Sequence, residues 1–188
     1  NTVYTTNRLI PHVIAKPDDF DVQLASITGV GMIKSTDGGL TWADSNEGII
    51  ALGSRLEIAF APSNTSTVYL SAVGGASGSN SDLYISEDAG DTWSVVIESN
   101  NGTNVDFLGG QGGYDNTIVV NPYDEKEVYL GGVNLFRMSI NDGAGSVFNL
   151  ETEEQGTDEF MTYSNFGFGY LGGGLEVNDG NTLAEEDI

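Results

Sequence analysis

The sequence predicts an all-β chain built from repeated antiparallel units, and three observations predict it. An octet recurs: Ser35-Thr36-Asp37-Gly38-Gly39-Leu40-Thr41-Trp42 is followed, 51 residues later, by Ser86-Glu87-Asp88-Ala89-Gly90-Asp91-Thr92-Trp93. Ser, Asp, Gly, Thr and Trp hold the same places in both copies, and self-similarity at a fixed period marks a repeat architecture. A second pattern, an apolar stretch ending in a proline turn and followed by another apolar stretch, occurs three times. Val13-Ile14-Ala15-Lys16-Pro17 leads to Val22-Gln23-Leu24, Glu57-Ile58-Ala59-Phe60-Ala61-Pro62 to Val68-Tyr69-Leu70, and Ile118-Val119-Val120-Asn121-Pro122 to Val128-Tyr129-Leu130. Finally, no segment keeps a helical period over a dozen residues.

Each octet has the chemistry of a tight hairpin. Ser and Asp side chains bond backbone N–H groups within a turn. Gly supplies a backbone angle that a side chain forbids, and Thr and Trp suit the strand that follows. The Trp ring is expected to cover the hairpin and pack on a neighbouring sheet, so that its truncation to Ala costs about 3–5 kcal/mol. Strands are expected at 11–16, 22–26, 31–36 and 41–44, then at 55–60, 67–72, 82–87 and 92–97, then at 116–121, 127–132, 134–139 and 146–150. Ser139-Ile140-Asn141-Asp142-Gly143 reads as a degenerate third octet, and Glu176 to Leu183 as a weaker fourth.

The octet resembles the Asp-box, or BNR repeat, of sialidase-like β-propellers, as found in secreted bacterial BNR-repeat proteins. The resemblance implies four-stranded antiparallel blades, with the box joining the third and fourth strands. Residues 1–188 then form a β-propeller segment of about four blades with Asp-box hairpins: blades at about 11–44, 55–97 and 116–150, and a fourth at 160–183. Ser35, Asp37, Gly39, Thr41, Trp42, Ser86, Asp88, Gly90, Thr92 and Trp93 are its structural residues. Propellers of this kind usually have six to eight blades, and only closure or protection removes exposed sheet edges. Further blades or partner chains are therefore expected to complete the ring.

Composition narrows the function. Six Lys and Arg stand against 28 Asp and Glu, a formal net charge of −22, and such a field repels nucleic acid and anionic membranes. No apolar run is long enough to insert in a membrane. Acidic charge and the family resemblance together point to an extracellular or cell-surface setting. The chain has no Cys and one His, His12. That leaves no disulfide, no thiolate or multi-histidine metal site, and no expectation of a metal or cofactor; His12, at a strand start, reads as structural.

In the resembled propellers the working face lies opposite the boxes. Its loops fall here at about 26–31, 44–54, 72–81, 98–115 and 151–165. The stretch Gly74 to Ser81 has the composition of a flexible connection. The long loop from Glu98 to Asp115 carries Gly109-Gly110-Gln111-Gly112-Gly113-Tyr114-Asp115, a glycine-rich run without the lysine of a phosphate loop. Arg55, Tyr114 and Asp115 are the candidate ligand-binding residues.

The sialidase mechanism of the resembled family requires three carboxylate-clamping arginines, a Tyr nucleophile with a Glu partner, and an Asp acid/base. Only Arg8, Arg55 and Arg137 are present, at positions that make a poor triad, although Arg8-Leu9-Ile10-Pro11 is similar to the family's Arg-Ile-Pro element with one residue inserted. A xyloglucanase-like site needs only two carboxylates, and Glu57, Asp106 and Asp115 are nearest the expected working face. No residue is assigned as catalytic. The expected function is a secreted or surface binding module for protein or glycan. Two alternatives stand beside it: part of a glycoside hydrolase whose site is shared with further blades, and a structural segment of a larger surface assembly.

Overall fold

The structure is a computed structural model that describes residues 2–73, 81–97, 107–108, 110–132, 135–141, 147–149 and 169–170. The first sheet consists of β1 (His12–Lys16), β2 (Asp19–Ile27), β3 (Gly31–Ser35) and β4 (Ala43–Asp44). The second consists of β5 (Arg55–Ala61), β6 (Asn64–Val73), β7 (Ser81–Ser86) and β8 (Ser94–Ile97). The third consists of β9 (Thr117–Val120), β10 (Glu127–Gly131), β11 (Leu135–Asn141) and β12 (Val147–Asn149), with β13 (Gly169–Tyr170) also paired to β11. In each sheet the strands follow sequence order and pair antiparallel. No helix occurs among the described residues.

The turns explain where the strands begin. Pro17-Asp18 and Pro62-Ser63 are two-residue loops closed by the pairs Lys16↔Asp19 and Ala61↔Asn64, each followed by a register shift. Pro presets the backbone angle that the first turn residue needs. β2 and β6 therefore start at Asp19 and Asn64 rather than near 22 and 67. The first three residues of each are polar or exposed, so no apolar pattern announces them. In the third unit, Asn121 instead accepts the Tyr123 N–H on its side chain at 2.9 Å, making a wider turn.

Alternation along the strands builds two cores between sheets, beside a smaller cluster of Ala25, Ile27 and Ile33 on the first sheet. Leu24 and Met32 of the first sheet pack against Leu56, Ile58, Val68, Leu70, Tyr84 and Trp93 of the second. The other face of the second sheet, with Ala59, Tyr69, Leu83 and Val96, packs on Val120, Val128, Leu130 and Met138 of the third. Adjacent residues such as Leu83 and Tyr84 thus enter different cores, and Val68-Tyr69-Leu70 reads as an unbroken apolar run because its sheet is covered on both sides. Tyr69 donates its hydroxyl to the Glu125 carbonyl at 2.7 Å. Burial, and then the nearby Glu125, Asp124 and Glu87 charges, push its phenol well above the ordinary range.

The first strands of successive sheets are neighbours, since β5 packs beside both β1 and β9. Of the segment expected to form a fourth blade, Gly169–Tyr170 lies against Phe136 and Arg137 of β11. The rest of that segment, the weak octet at 176–183 and residues 142–146 of the degenerate octet lie outside the described residues.

Candidate functional site

The two octets join β3 to β4 and β7 to β8, and each carries the same pattern of hydrogen bonds. In the first, the Ser35 hydroxyl accepts the N–H groups of Asp37 (3.3 Å) and Gly39 (2.9 Å) and donates to Asp37 Oδ1 (2.8 Å). Asp37 in turn accepts the Thr41 N–H at 2.8 Å and the Thr41 hydroxyl at 2.6 Å. Ser86, Asp88, Gly90 and Thr92 repeat each of these bonds. Gly39 and Gly90 have φ of 84° and 89°, where a Cβ is strained. The Thr41 hydroxyl, then its N–H and the Ser35 hydroxyl, hold the Asp37 carboxyl down from the ordinary 3.8 to about 2. Around Asp88 burial pushes upward, but the Thr92 and Ser86 bonds outweigh it and the carboxyl again sits at about 2.

The two tryptophans differ. Trp93 is 4% exposed and reaches into the preceding sheet's territory. Its indole N–H donates to the Ser45 carbonyl at 2.9 Å, and its backbone N–H to the Glu47 carbonyl at 2.8 Å. Trp42 is half-buried over Ala25, Ile27 and Ile33 of its own sheet, and donates to the Gly39 carbonyl of its own hairpin at 3.1 Å. Among the described residues, the neighbouring sheet expected for each ring is thus present for Trp93 only. A polar groove lies between the octets, where Lys34 pairs with Asp91 at 2.7 Å.

The candidate ligand-binding residues come together at the start of β5. Arg55 opens that strand. Its Nε donates to Glu57 Oε1 at 2.9 Å and its Nη1 to the carbonyls of Tyr114 (3.3 Å) and Gly113 (3.5 Å). The other oxygen of Glu57 lies 2.9 Å from Nδ1 of His12, the first residue of β1. Nδ1 also accepts the Ile58 N–H at 3.1 Å. Oε1 of Glu57 is therefore bonded, and Oε2 lies within reach of the His12 imidazole.

Residues 107–108 and 110–116 are tied down from below. Phe107 and Leu108 are buried, and the Leu108 N–H donates to the Ser81 hydroxyl at 3.0 Å. Asn116, 5% exposed, accepts the Ser71 hydroxyl at 2.7 Å and donates to the Ser71 carbonyl at 3.2 Å. Gly112 lies so close to Val73 and Leu108 that a Cβ there would come within 2.6 Å of the Val73 side chain. Above these anchors, Tyr114 is 67% exposed and Asp115 is exposed too. The Tyr114 and Asp115 N–H groups both donate to the Gln111 carbonyl, at 3.0 and 3.1 Å, and the Tyr114 hydroxyl donates to the Gln111 side chain at 2.6 Å. The result is an aromatic face and a carboxylate on a held loop, which can stack on and accept hydrogen bonds from a ligand.

The other candidates do not gather here. Arg8 lies in the N-terminal segment, where its N–H donates to the Thr6 hydroxyl, and Arg137 lies on β11 opposite Tyr129. Asp106 and residues 74–80 lie outside the described residues. Among the described residues, no group of three or more His, Cys, Asp or Glu side chains is placed to hold a metal ion, and no helix is long and apolar enough to cross a membrane. Sequence reasoning missed the roles of Asn116, Ser71 and Gln111. The only local signal was the polar Asn116 just before an apolar strand.

No family model matches the chain, and no curated protein matches it significantly. Solved structures do. One, described as an ancestral GH74 enzyme, matches 68% of this chain over 17% of its own length, with 19% identity and a TM-score of 0.51. The GH74 xyloglucanase of Xanthomonas campestris matches 69% of this chain and 28% of its own at 10% identity, TM-score 0.35. The GH74 enzyme of Niastella koreensis matches 74% and 30% at 18% identity, TM-score 0.36. The chain therefore spans less than a third of each of these proteins. The first likeness, together with the stack of antiparallel sheets of four strands, or five in the third, helix-free among the described residues, shows the fold: this is a β-propeller segment.

Proposed function

We propose that this segment is a non-enzymatic binding module of a secreted or cell-surface β-propeller of the Asp-box type, and that it engages glycan or protein through Tyr114, Asp115 and Arg55. The observation that carries the reading is the anchored loop. Asn116, Gly112 and the Arg55 guanidinium fix its backbone, while the Tyr114 ring and the Asp115 carboxylate face solvent. A surface held in place before the ligand arrives loses less entropy on binding. The matching networks of the two octets support the Asp-box assignment. The net charge of −22 suits an exported acidic protein and weighs against nucleic acid as a partner.

Further blades or partner chains complete the ring in this reading. Val13, Ala25 and Ile33 lie opposite one another in the first sheet, as Ile58, Leu70 and Tyr84 do in the second. Ile58 is 1% exposed beneath the first sheet, whereas Val13 is 55% exposed. Ala25 and Ile33 are already buried beneath Tyr4, Val30 and Trp42, so Val13 marks the part of this face that the repeat elsewhere covers.

A glycoside hydrolase whose site is shared with further blades is the second reading, favoured by the likeness to an ancestral GH74 enzyme. The chemistry in hand weighs against it, because of the candidate carboxylates among the described residues Glu57 is part-buried and bonded to Arg55, which leaves Asp115 as the exposed one. A panel of aryl glycosides separates the two. The binding module shows saturable ligand binding without turnover. Turnover that disappears in Asp115→Asn would establish the hydrolase.

A further inference from the structure

His12 faces two demands that one protonation state cannot meet. To accept the Ile58 N–H at 3.1 Å, its Nδ1 must carry a lone pair. To bond Glu57 Oε2 at 2.9 Å, the same Nδ1 must carry a proton, since a carboxylate only accepts. Ile58 and Glu57 are both on β5, and His12 is on β1, so the choice is made at the seam between the first two sheets. Glu57 passes the consequence on, because its other oxygen holds Arg55, and Arg55 holds the carbonyls of Gly113 and Tyr114. Across β2 the partner of His12 is Ser26, which is uncharged and spends its hydroxyl on the Leu56 carbonyl. The acids of β2, Asp19 and Asp21, lie at the opposite end, by Lys16. Among the described residues, the ionisable groups in contact with the imidazole are therefore Glu57 and, through it, Arg55.

We propose that His12 is a proton-operated tie that exchanges the Ile58 amide for the Glu57 carboxylate and thereby adjusts the loop carrying Tyr114 and Asp115. This rests on the reading of that loop as the binding surface. When Nδ1 is unprotonated, Ile58 is bonded and Glu57 turns to Arg55 alone. When the imidazole is protonated, Nδ1–H donates to Glu57 with charge assistance, the Ile58 N–H is released, and Glu57 is shared between two cations.

The test is a 1H–15N NMR titration of the uniformly labelled protein from pH 8 to pH 5, without ligand. The expected result is that the amides of Ile58, Tyr114 and Asp115 move with the same midpoint as the His12 ring nitrogens, the last two because their N–H groups follow the Gly113 and Tyr114 carbonyls. In Glu57→Gln the Ile58 amide still follows His12 while the loop amides do not. His12→Gln removes the common midpoint from all three. Loop amides that ignore the His12 midpoint in the wild-type protein, or that follow it unchanged in Glu57→Gln, would overturn the proposal. The coupling is read without a ligand, so a failed binding assay leaves it standing, and a failed coupling leaves the binding reading to its own test.

Discussion

Trp93→Ala tests how the sheets are locked together. The indole is 4% exposed, in a core shared by the first two sheets. Burying a side chain of this size removes roughly 150–250 Å² from water. At about 25 cal/mol per Å², the loss relative to Ala is about 3–4 kcal/mol, an upper figure for an extended unfolded chain. The Ser45 carbonyl also loses its 2.9 Å donor, which adds about 1 kcal/mol. The sum falls in the range of about 3–5 kcal/mol seen for buried aromatic truncations. Trp42, in the same place of the first octet, bonds only within its own hairpin and is half-buried, so its truncation should cost about half as much. Urea unfolding followed by far-ultraviolet circular dichroism measures both variants. Equal losses, or a larger loss for Trp42→Ala, would refute the reasoning that the octet acts through the preceding sheet.

Further predictions follow from individual contacts. Gly48 and Gly29 both have positive φ, but a Cβ on Gly48 would lie 1.8 Å from the Trp93 carbonyl oxygen and one on Gly29 meets nothing within 4 Å; Gly48→Ala should therefore destabilise by about 2 kcal/mol more than Gly29→Ala, as overpacked sites do, measured by thermal unfolding. Asp37 and Asp88 have their carboxyls lowered to about 2 in the folded chain. Their stabilisation is complete above about pH 4 and is lost as pH falls towards 2, so the Asp37→Asn, Asp88→Asn double variant should show a shallower loss of stability across that window than the wild type. A parallel pair of curves would contradict this. Ser86→Ala strips the Gly90 N–H of its 2.7 Å acceptor and should cost about 1–2 kcal/mol, read as a lower urea midpoint.

What the sequence disclosed follows from distance along the chain. The octet network closes within four residues, between Ser86 and Gly90 and between Asp88 and Thr92, so its chemistry is written in one short string. The proline turns are equally local. The early starts of β2 and β6 were hidden, because Asp19 and Asn64 pair through their backbones and the two residues after each fall in the register shift, without burying an apolar face. The site was partly legible. Tyr114 and Asp115 stand out in a glycine-rich loop, and Arg55 is one of only three arginines. Their mutual position was not, since Arg55 meets Tyr114 across 59 residues, Ser71 meets Asn116 across 45 and His12 meets Ile58 across 46. Such pairs have no local pattern, because they arise only when separate sheets stack. The contrast between Trp42 and Trp93 was invisible for the same reason: octets that share Ser, Asp, Gly, Thr and Trp place their rings alike in sequence and differ in what lies against them.

The most direct test of the account is a glycan-array screen of the purified protein, with calorimetric titration of any hit against the wild type and Arg55→Ala. Arg55 is 30% exposed on its side chain, so its removal should cost about 1 kcal/mol of stability or less, while freeing the Gly113–Tyr114 backbone. The account predicts a saturable ligand for the wild type, at least tenfold weaker in Arg55→Ala, with the fold retained. Binding unchanged in Arg55→Ala would place the ligand elsewhere and contradict the assignment of this loop.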